Sequence, residues 1–293
     1  MARLGKVLTA MVTPFDEKLQ VNYQAAQELA NKLIESGSDG LVVAGTTGES
    51  PTLTKQEKVE LFKAVVEAVG SKGTVIAGTG SYSTQESIEL TKEAERAGVD
   101  GVMLVAPYYN KPSQEGLYQH FKTIAANTEL PVILYNIPGR TGINVTVDTV
   151  VRLAEIKNIV AIKEASGNVS QSSEIFERVA KKLDIYSGDD ALTLPILSVG
   201  GVGVISVASH IAGTKIQEMI AAFERGDVNV AAKLNAELGA LNRALFITTN
   251  PTMVKAACNL LGYKIGGLRL PLVEASAKEL DIMRGVLKDL GLL

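Results

Sequence analysis

The chain has 293 residues, of which 46% are hydrophobic and 21% charged, and its formal net charge is -3. This length and composition suit one large α/β enzyme. The slightly negative net charge excludes a strongly basic protein of the kind that binds nucleic acids or acidic membranes. No apolar run is long enough to span a bilayer, and the start, Met1–Lys6, lacks the apolar stretch of a signal peptide.

The chain holds one cysteine, Cys258, and two histidines, His120 and His210. A single cysteine excludes an internal disulfide and favours a reducing compartment, so we expect a cytoplasmic protein. The apolar helical pattern around Cys258 indicates a small core residue, and His120 lies in a similar pattern. Since no metal-ligand spacing is present, we expect neither a metal nor a cofactor.

Short apolar segments alternate with longer amphipathic patterns, at intervals of about 30 residues. The predicted strands are Val7–Ala10, Gly40–Ala44, Thr74–Gly78, Gly101–Val105, Pro131–Tyr135, Ile159–Lys163, Asp184–Ser187 and Gly203–Val207. The clearest predicted helices are Lys55–Val69, Thr84–Ala97 and Ser113–Asn127. Thr54, followed three residues later by Glu57, has the pattern of a helix-capping pair.

Eight strand–helix repeats predict an α/β protein of the (β/α)₈ TIM-barrel class, spanning residues 1–224. A doubly wound sheet is the alternative, but the segment after the first strand, Met11–Phe15, lacks a glycine-rich phosphate loop. From residue 225 to residue 293 only helical patterns remain. We expect this part to pack on the barrel as a helical appendage.

Lys163 ends the run Ile159–Lys163, which otherwise reads as a strand buried on both faces. A buried ammonium is unfavourable unless it is paired or loses its proton, and a neutral lysine is the nucleophile that Schiff-base chemistry requires. The alternative is a lysine at the end of a strand that reaches solvent. The other strand ends help to decide between the two.

Barrel active sites lie at the carboxyl ends of the strands, where this sequence places hydroxyls, glycines and an arginine. Gly45–Gly48 contains Thr46 and Thr47 and is either a simple turn or a backbone nest for a carboxylate. Tyr135 either closes the barrel core or moves protons beside Lys163. Arg140 is either a solvated loop charge or a carboxylate clamp.

Other charged residues are expected to have ordinary roles. Asp189 and Asp190 follow the seventh strand and are predicted to start and cap the next helix. Lysines in helical patterns are expected on solvated faces: Lys55, Lys58, Lys181 and Lys182.

Four motifs occur in order: Thr46-Thr47-Gly48-Glu49, Tyr135-Asn136-Ile137-Pro138-Gly139-Arg140-Thr141-Gly142, Ile162-Lys163-Glu164 and Gly203-Val204-Ile205-Ser206. Together they resemble the dihydrodipicolinate synthase family of pyruvate-dependent class I aldolases, a superfamily that includes N-acetylneuraminate lyase. The segment Pro107–Gly116 strengthens the resemblance, which runs from about Val7 to the C-terminal helices.

The resemblance implies that Lys163 forms a Schiff base with pyruvate, and that Tyr135, Thr46 and Tyr109 form a proton relay. Tyr109 would come from a neighbouring subunit of a homotetramer built as a dimer of dimers. Thr47 and Ile205 would contact the pyruvate part, Gly188 would also be substrate-binding, and Arg140 would lie at the entrance for the carboxylate of the aldehyde. Where lysine-inhibited members have histidines and an asparagine, this chain has Lys55, Lys58 and Tyr82, so we expect no inhibition by lysine.

The implied reaction condenses pyruvate with L-aspartate 4-semialdehyde to 4-hydroxy-tetrahydrodipicolinate, in diaminopimelate and lysine biosynthesis. The alternative activity is a Schiff-base lyase for N-acetylneuraminate or a 2-keto-3-deoxy sugar acid, and Arg140 favours the synthase. A catalytically silent barrel with a binding role is a third possibility, which the set Lys163, Tyr135, Thr46 and Tyr109 opposes.

Overall fold

The computed structural model of the protein describes residues 4–179 and 182–293. Residues 1–3, which belong to the start considered as a possible signal peptide, lie outside the described residues. So does Lys181, which was expected on a solvated face. The strands are β1 Val7–Ala10, β2 Gly40–Val43, β3 Thr74–Gly78, β4 Gly101–Val105, β5 Val132–Asn136, β6 Ile159–Glu164, β7 Asp184–Ser187 and β8 Gly203–Ser206. The α-helices are α1 Tyr23–Glu35, α2 Lys55–Val69, α3 Thr84–Arg96, α4 Gln114–Ala125, α5 Pro138–Thr141, α6 Val147–Leu153, α7 Val169–Val179, α8 Thr193–Ser198, α9 Ser209–Glu224, α10 Val228–Ala244, α11 Thr252–Leu260 and α12 Ala277–Asp289.

The eight strands form a closed parallel barrel in sequence order, and β8 pairs with β1 through Val7 and Val204. The predicted (β/α)₈ barrel is therefore confirmed. Each predicted strand end lies within one residue of the observed one, because buried parallel strands are nearly uninterrupted apolar runs. Helix α2 begins directly after Thr54, which forms the predicted capping pair with Glu57 in the first turn.

Apolar side chains fill two layers, one inside the barrel and one between its strands and the surrounding helices. The interior layer includes Leu8, Val42, Ile76 and Ile133, and all four are inaccessible to solvent. Each fully buried side chain of this size contributes about 1.5–3 kcal/mol to folding. The interior is thus a packed core, and chemistry is confined to the open end of the barrel.

A bulge in β6 decides which way its last residues face. Val132 of β5 pairs with Ile159 but the next residue, Ile133, pairs with Ala161, so Val160 is an extra residue. Val160 and Ala161 consequently both pack inside the barrel. Since side chains alternate along a strand, this one-residue shift moves Ile162 to the outer layer and leaves Lys163 on the inner side.

The C-terminal helices pack against the last barrel helix. Helices α10 and α11 both contact α9, and α12 contacts α10 and α11. The expected division at residue 224 coincides with the end of α9. The segment after α11 reaches the barrel loop after β1, where a side chain at Gly266 would come within 2.1 Å of the Phe15 carbonyl oxygen. In the parts of the chain that the structure describes, no helix is long and apolar enough to cross a membrane.

Candidate active site

Lys163 is buried at the carboxyl end of β6, with an exposed fraction of 5%. In the barrel register it lies beside Tyr135 of β5, and its Nζ is 4.4 Å from the centroid of the Tyr135 ring. The pKa of Lys163 is lowered to about 8, chiefly by burial; Asp190 opposes the shift and the positive charge of Arg140 contributes to it. Lys163 therefore supplies a neutral amine far more readily than a surface lysine does.

Gly188, directly after β7, leaves the space that the Lys163 side chain occupies. A Cβ atom at Gly188 would lie 2.7 Å from Cβ of Ala165 and 3.1 Å from both Cγ and Cε of Lys163. The Gly188 amide also donates to the Glu164 carbonyl oxygen at 2.8 Å. Any larger residue at Gly188 would thus press on the lysine.

Tyr135 is buried at the end of β5, and its hydroxyl is hydrogen-bonded to the side chain of Thr46. Burial raises the pKa of Tyr135 to about 12, although the charge of Arg140 and the bond to Thr46 act in the opposite direction. Tyr135 is therefore protonated at neutral pH. The Tyr135 ring adjoins the lysine and its hydroxyl adjoins a second hydroxyl, that of Thr46, and such neighbours are the groups that a proton relay needs.

Thr46 and Thr47 lie in the loop after β2. The loop is tightly folded: Ala44 and Glu49 have left-handed φ values of 52° and 55°. The Thr13 hydroxyl donates to the Gly48 carbonyl oxygen at 2.6 Å and ties the loop to the segment after β1. Thr47 is buried, and its Oγ1 accepts a hydrogen bond of 2.9 Å from Nδ2 of Asn250.

Arg140 lies in the short helix α5 after β5, and its Nη2 donates to the carbonyl oxygen of Asn250 at 3.3 Å. Its charge lowers the pKa of both Tyr135 and Lys163. The role of Arg140 as a carboxylate clamp stays a prediction. An arginine there offers a planar pair of donors suited to a carboxylate.

Two cavities meet at Arg140 and Ile137. One, of about 200 Å³, is also lined by Thr46, Tyr108 and Tyr135. The other, of about 800 Å³, also extends over Gly188 to helix α10. Tyr135, which lines the first cavity, and Gly188, which lines the second, both adjoin Lys163.

Ile205 and Tyr109 occupy contrasting places. Ile205 is a buried residue of β8 in the barrel interior. Tyr109 follows β4, has a left-handed φ of 71° and is 92% exposed, so one chain alone does not bring it into the cavity. Its neighbour Tyr108 lines the cavity and stacks edge-on with Tyr82 at 5.2 Å.

Asp189 and Asp190 cap and start the next helical turn, Asp190–Leu192, as predicted, but the Asp190 side chain has a further role. Asp189 does cap the next turn, since its Oδ1 accepts from the Ala191 amide. The buried carboxylate of Asp190 accepts from the Ser206 hydroxyl and from the amides of Val207 and Ala208. It therefore holds the end of β8 in place, and sequence reasoning missed this function because the partners lie in a different strand.

A polar network behind Lys163 was also missed. The Glu164 carboxylate accepts from Nδ2 of Asn136 at 3.0 Å, from Nε2 of Gln171 at 3.0 Å and from the Ser166 amide at 2.6 Å. These bonds join β5, β6 and α7 on the outer side of the strand that carries the lysine. The only signal for them in the sequence is the charged pair Lys163-Glu164 at the end of an apolar run.

The expectation of solvated lysines holds for Lys55 and Lys182, which are exposed and form ion pairs with Glu89 and Glu155. It is wrong for Lys58, which is half-buried: burial lowers its pKa, and Glu86 opposes the shift. Among the described residues, no group of histidine, cysteine, aspartate and glutamate side chains is arranged to hold a metal ion. Cys258 is buried in α11, as expected of a core residue.

Comparisons with known proteins agree on one family. The model of the dihydrodipicolinate synthetase family matches residues 3–290. The 4-hydroxy-tetrahydrodipicolinate synthase of Desulforamulus reducens is 63% identical over 99% of this chain and 98% of its own length, and that of Desulforudis audaxviator is 59% identical over 99% and 98%.

Solved structures give the same result. The dihydrodipicolinate synthase DapA-2 of Bacillus anthracis superposes with a TM-score of 0.96 at 52% identity, covering 98% of this chain and 99% of its own. The lysine-bound enzyme of Cyanidioschyzon merolae gives a TM-score of 0.98 at 50% identity, with 99% of both chains covered.

Proposed function

This chain belongs to the dihydrodipicolinate synthetase family, and from that premise we propose that it condenses pyruvate with L-aspartate 4-semialdehyde through a Schiff base on Lys163. The product is 4-hydroxy-tetrahydrodipicolinate, used in diaminopimelate and lysine biosynthesis. The observation that carries the proposal is the buried amine of Lys163, with a pKa lowered to about 8, beside the hydroxyl-bearing pair Tyr135 and Thr46.

The first half-reaction forms the Schiff base. The neutral Lys163 amine attacks the ketone carbon of pyruvate, and the resulting carbinolamine loses water to give an iminium ion. The iminium withdraws electrons, so that a methyl proton is lost and an enamine forms. Tyr135 moves these protons, and Thr46 and Tyr109 link it to solvent.

In the second half-reaction the enamine carbon attacks the aldehyde carbon of the semialdehyde. The amine of that substrate then attacks the iminium carbon, closes the ring and displaces Lys163, which regains its free amine. Thr47, Ile205 and Gly188 contact the pyruvate part, and Arg140 binds the carboxylate of the aldehyde. Two cavities meet at Arg140, and this supports separate binding places for pyruvate and for the aldehyde.

The assembled enzyme is a homotetramer built as a dimer of dimers and works in the cytoplasm. Tyr109 supports the assembly, because a large aromatic side chain that is 92% exposed on a strained loop gains from being covered by a second chain. In the dimer, Tyr109 of one subunit completes the relay of its neighbour.

A Schiff-base lyase acting on N-acetylneuraminate or a 2-keto-3-deoxy sugar acid would use the same lysine. The synthase is favoured by Arg140, because its charge suits a second small carboxylate, and by relatives that are 63% and 59% identical and carry the synthase name. A binding protein without catalytic activity would have little use for an amine whose pKa is lowered to about 8.

Borohydride trapping tests the proposal. Incubation with pyruvate and borohydride should add one reduced pyruvyl group to the peptide that carries Lys163 and to no other lysine peptide. Initial rates with pyruvate plus aspartate semialdehyde should greatly exceed those with N-acetylneuraminate as sole substrate. Trapping at another lysine, or faster cleavage of N-acetylneuraminate, would refute the assignment.

A further inference from the structure

Asn250, in the segment between α10 and α11, contacts two residues of the candidate site from outside the barrel. Its side-chain Nδ2 donates to Oγ1 of Thr47 at 2.9 Å, and its backbone carbonyl oxygen accepts from Nη2 of Arg140 at 3.3 Å. Asn250 is 6% exposed, and its own Oδ1 is buried without a hydrogen-bond partner among the described residues.

The direction of the bond to Thr47 fixes what the threonine hydroxyl can do. An amide NH₂ group only donates, whereas a hydroxyl has one proton to donate and two lone pairs to accept with. Oγ1 of Thr47 accepts from Asn250 and makes no other hydrogen bond with the described residues. The hydroxyl proton of Thr47 is therefore free for a further partner. A carboxylate, which only accepts, is the partner that such a free proton suits.

We propose that Asn250 is a positioning residue that turns the hydroxyl proton of Thr47 toward the carboxylate of pyruvate. This inference rests on the proposed function, because it requires pyruvate to be the substrate that Thr47 contacts. The buried, unpartnered Oδ1 of Asn250 supports it. A side chain kept for packing alone would be apolar, since an unpaired buried carbonyl destabilises the fold.

Asn250 can act precisely on Thr47 only if their two segments are fixed to each other, and a buried ion pair fixes them. Nζ of Lys255, on the helix that follows Asn250, is 2.6 Å from Oε1 of Glu49, on the loop that carries Thr47. The other carboxylate oxygen of Glu49 accepts from the Arg269 amide at 3.1 Å. The C-terminal segment and the β2 loop therefore form one rigid support, as preorganised binding requires.

The two contacts of Asn250 predict unequal effects on the two substrates. Substitution of the side chain removes the bond to Thr47, while the backbone carbonyl that accepts from Arg140 remains. Asn250→Ala should therefore raise the KM for pyruvate about tenfold, the lower end for a hydrogen bond to a charged group. The KM for aspartate semialdehyde should change less than about twofold, and kcat less than about threefold.

A double-mutant cycle with Thr47→Val tests whether Asn250 acts through the hydroxyl, because valine keeps the shape of threonine and removes its oxygen. Thr47→Val should raise the KM for pyruvate, and Asn250→Ala should add little to that variant. Asn250→Asp keeps the size but offers only acceptors, so the Thr47 proton should turn toward it and the KM for pyruvate should rise at least as much as in Asn250→Ala. Additive effects of Thr47→Val and Asn250→Ala would overturn the proposal.

Asn259→Ala is the matched control, since its amide bonds Gly266 and Ile265 away from the site, and both KM values should stay as in the wild type. Borohydride trapping at saturating pyruvate separates this inference from the proposed function. If wild-type Lys163 is trapped and the KM for pyruvate is unchanged in Asn250→Ala, only the role of Asn250 is wrong. If Asn250→Ala does not fold, an unchanged pyruvate KM in Asn250→Asp overturns it equally; absence of trapping in the wild type refutes the proposed function itself.

Discussion

Lys163 and Lys255 are both buried lysines, with exposed fractions of 5% and 1%, yet their surroundings differ in kind. Lys255 is 2.6 Å from the Glu49 carboxylate, donates to the Gly267 carbonyl oxygen at 2.7 Å and lies 4.0 Å from the centre of the Phe15 ring. Lys163 has no carboxylate within ion-pair distance among the described residues; the nearest ring is that of Tyr135.

The difference shows how one fold keeps a buried lysine charged at one place and ready to lose its proton at another. Burial lowers the pKa of both, but the Glu49 carboxylate opposes the shift at Lys255 through direct contact. At Lys163 the only opposing group is Asp190, whose carboxylate is already occupied by Ser206, Val207 and Ala208. Lys255 is thus a structural cation, and we infer that Lys163 is the reactive amine.

Replacing Lys163 should have the largest effect on activity of the variants considered, and it should not destabilise the fold. Lys163→Met should lower kcat by at least about four orders of magnitude, as expected when the covalent nucleophile is removed. Steady-state rates and the loss of borohydride trapping check this. Turnover within about a hundredfold of the wild type would contradict the role of Lys163.

The same variant should be more stable than the wild type at neutral pH. The folded pKa of Lys163 is about 8 and its ordinary value is 10.5, so between these values the folded protein holds one proton fewer than the unfolded chain. Stability therefore rises with pH through this window, and below pH 8 the buried charge costs about 3 kcal/mol. The difference in unfolding free energy between Lys163→Met and wild type should be largest below pH 8 and shrink toward pH 10.5; a constant difference would contradict it.

Tyr135→Phe removes only the hydroxyl beside the reactive amine and should lower kcat by about two to four orders of magnitude. Since the ring and its packing remain, we expect the melting temperature to move by only a few degrees. Trapping of pyruvate at Lys163 should still occur, although slowly. Near-normal turnover of Tyr135→Phe would exclude the proton-relay role.

Replacing Lys255 should lower the stability of the fold, whereas replacing Lys163 should raise it. Lys255→Met leaves the Glu49 carboxylate buried and unpaired, which should cost about 3–5 kcal/mol of unfolding free energy. Urea unfolding at neutral pH measures this loss.

Glu49→Gln in the Lys255→Met background removes the orphaned charge and should recover most of the lost stability. If the single and double variants unfold at the same urea concentration, the ion pair is not what makes Lys255 necessary. Trapping at Lys163 should persist in whichever variants fold.

The sequence predicted Lys163 and did not predict Lys255, and the reason is physical. A charge at the end of a continuous apolar strand stands out in the sequence. Lys255 lies in an amphipathic helix, where a lysine is common and gives no sign of being buried. Its partner Glu49 lies on the β2 loop, at the other end of the sequence. For the same reason the start of its own helical turn was predictable for Asp190, but the bonds of its carboxylate to the end of β8 were not.

The barrel was predictable because each strand is a short apolar run and the repeats are regular. The bulge at Val160 was not, since one extra residue in a run buried on both faces leaves no mark in the hydrophobic pattern. That bulge nevertheless decides that Lys163 lies on the inner side of the strand. Tyr109 differs, because its implied role depends on a second chain. A pattern within one chain cannot show which residues of a neighbouring chain it would contact.

Arg140 is a positive charge close enough to Lys163 to lower its pKa, and its removal should have a selective effect on the substrates. Arg140→Ala should raise the KM for aspartate semialdehyde about ten- to a hundredfold, the scale of a charge-assisted contact of about 1.5–3 kcal/mol. The KM for pyruvate should change much less. Equal effects on both substrates would mean that Arg140 supports the site as a whole and does not select the aldehyde.

Lys58 extends the comparison to a third lysine, half-buried, whose pKa burial lowers and Glu86 raises. With Lys55 it lies where lysine-inhibited members of the family are implied to have histidines, and Tyr82 packs edge-on against Tyr108 nearby in the chain. A cationic ligand would meet like charges, so we expect the enzyme to keep its full rate in millimolar lysine. Initial rates across a lysine titration measure this. Half-inhibition below about a millimolar, a binding free energy of roughly 4 kcal/mol, would show that Lys58 and Lys55 leave room for an ammonium group.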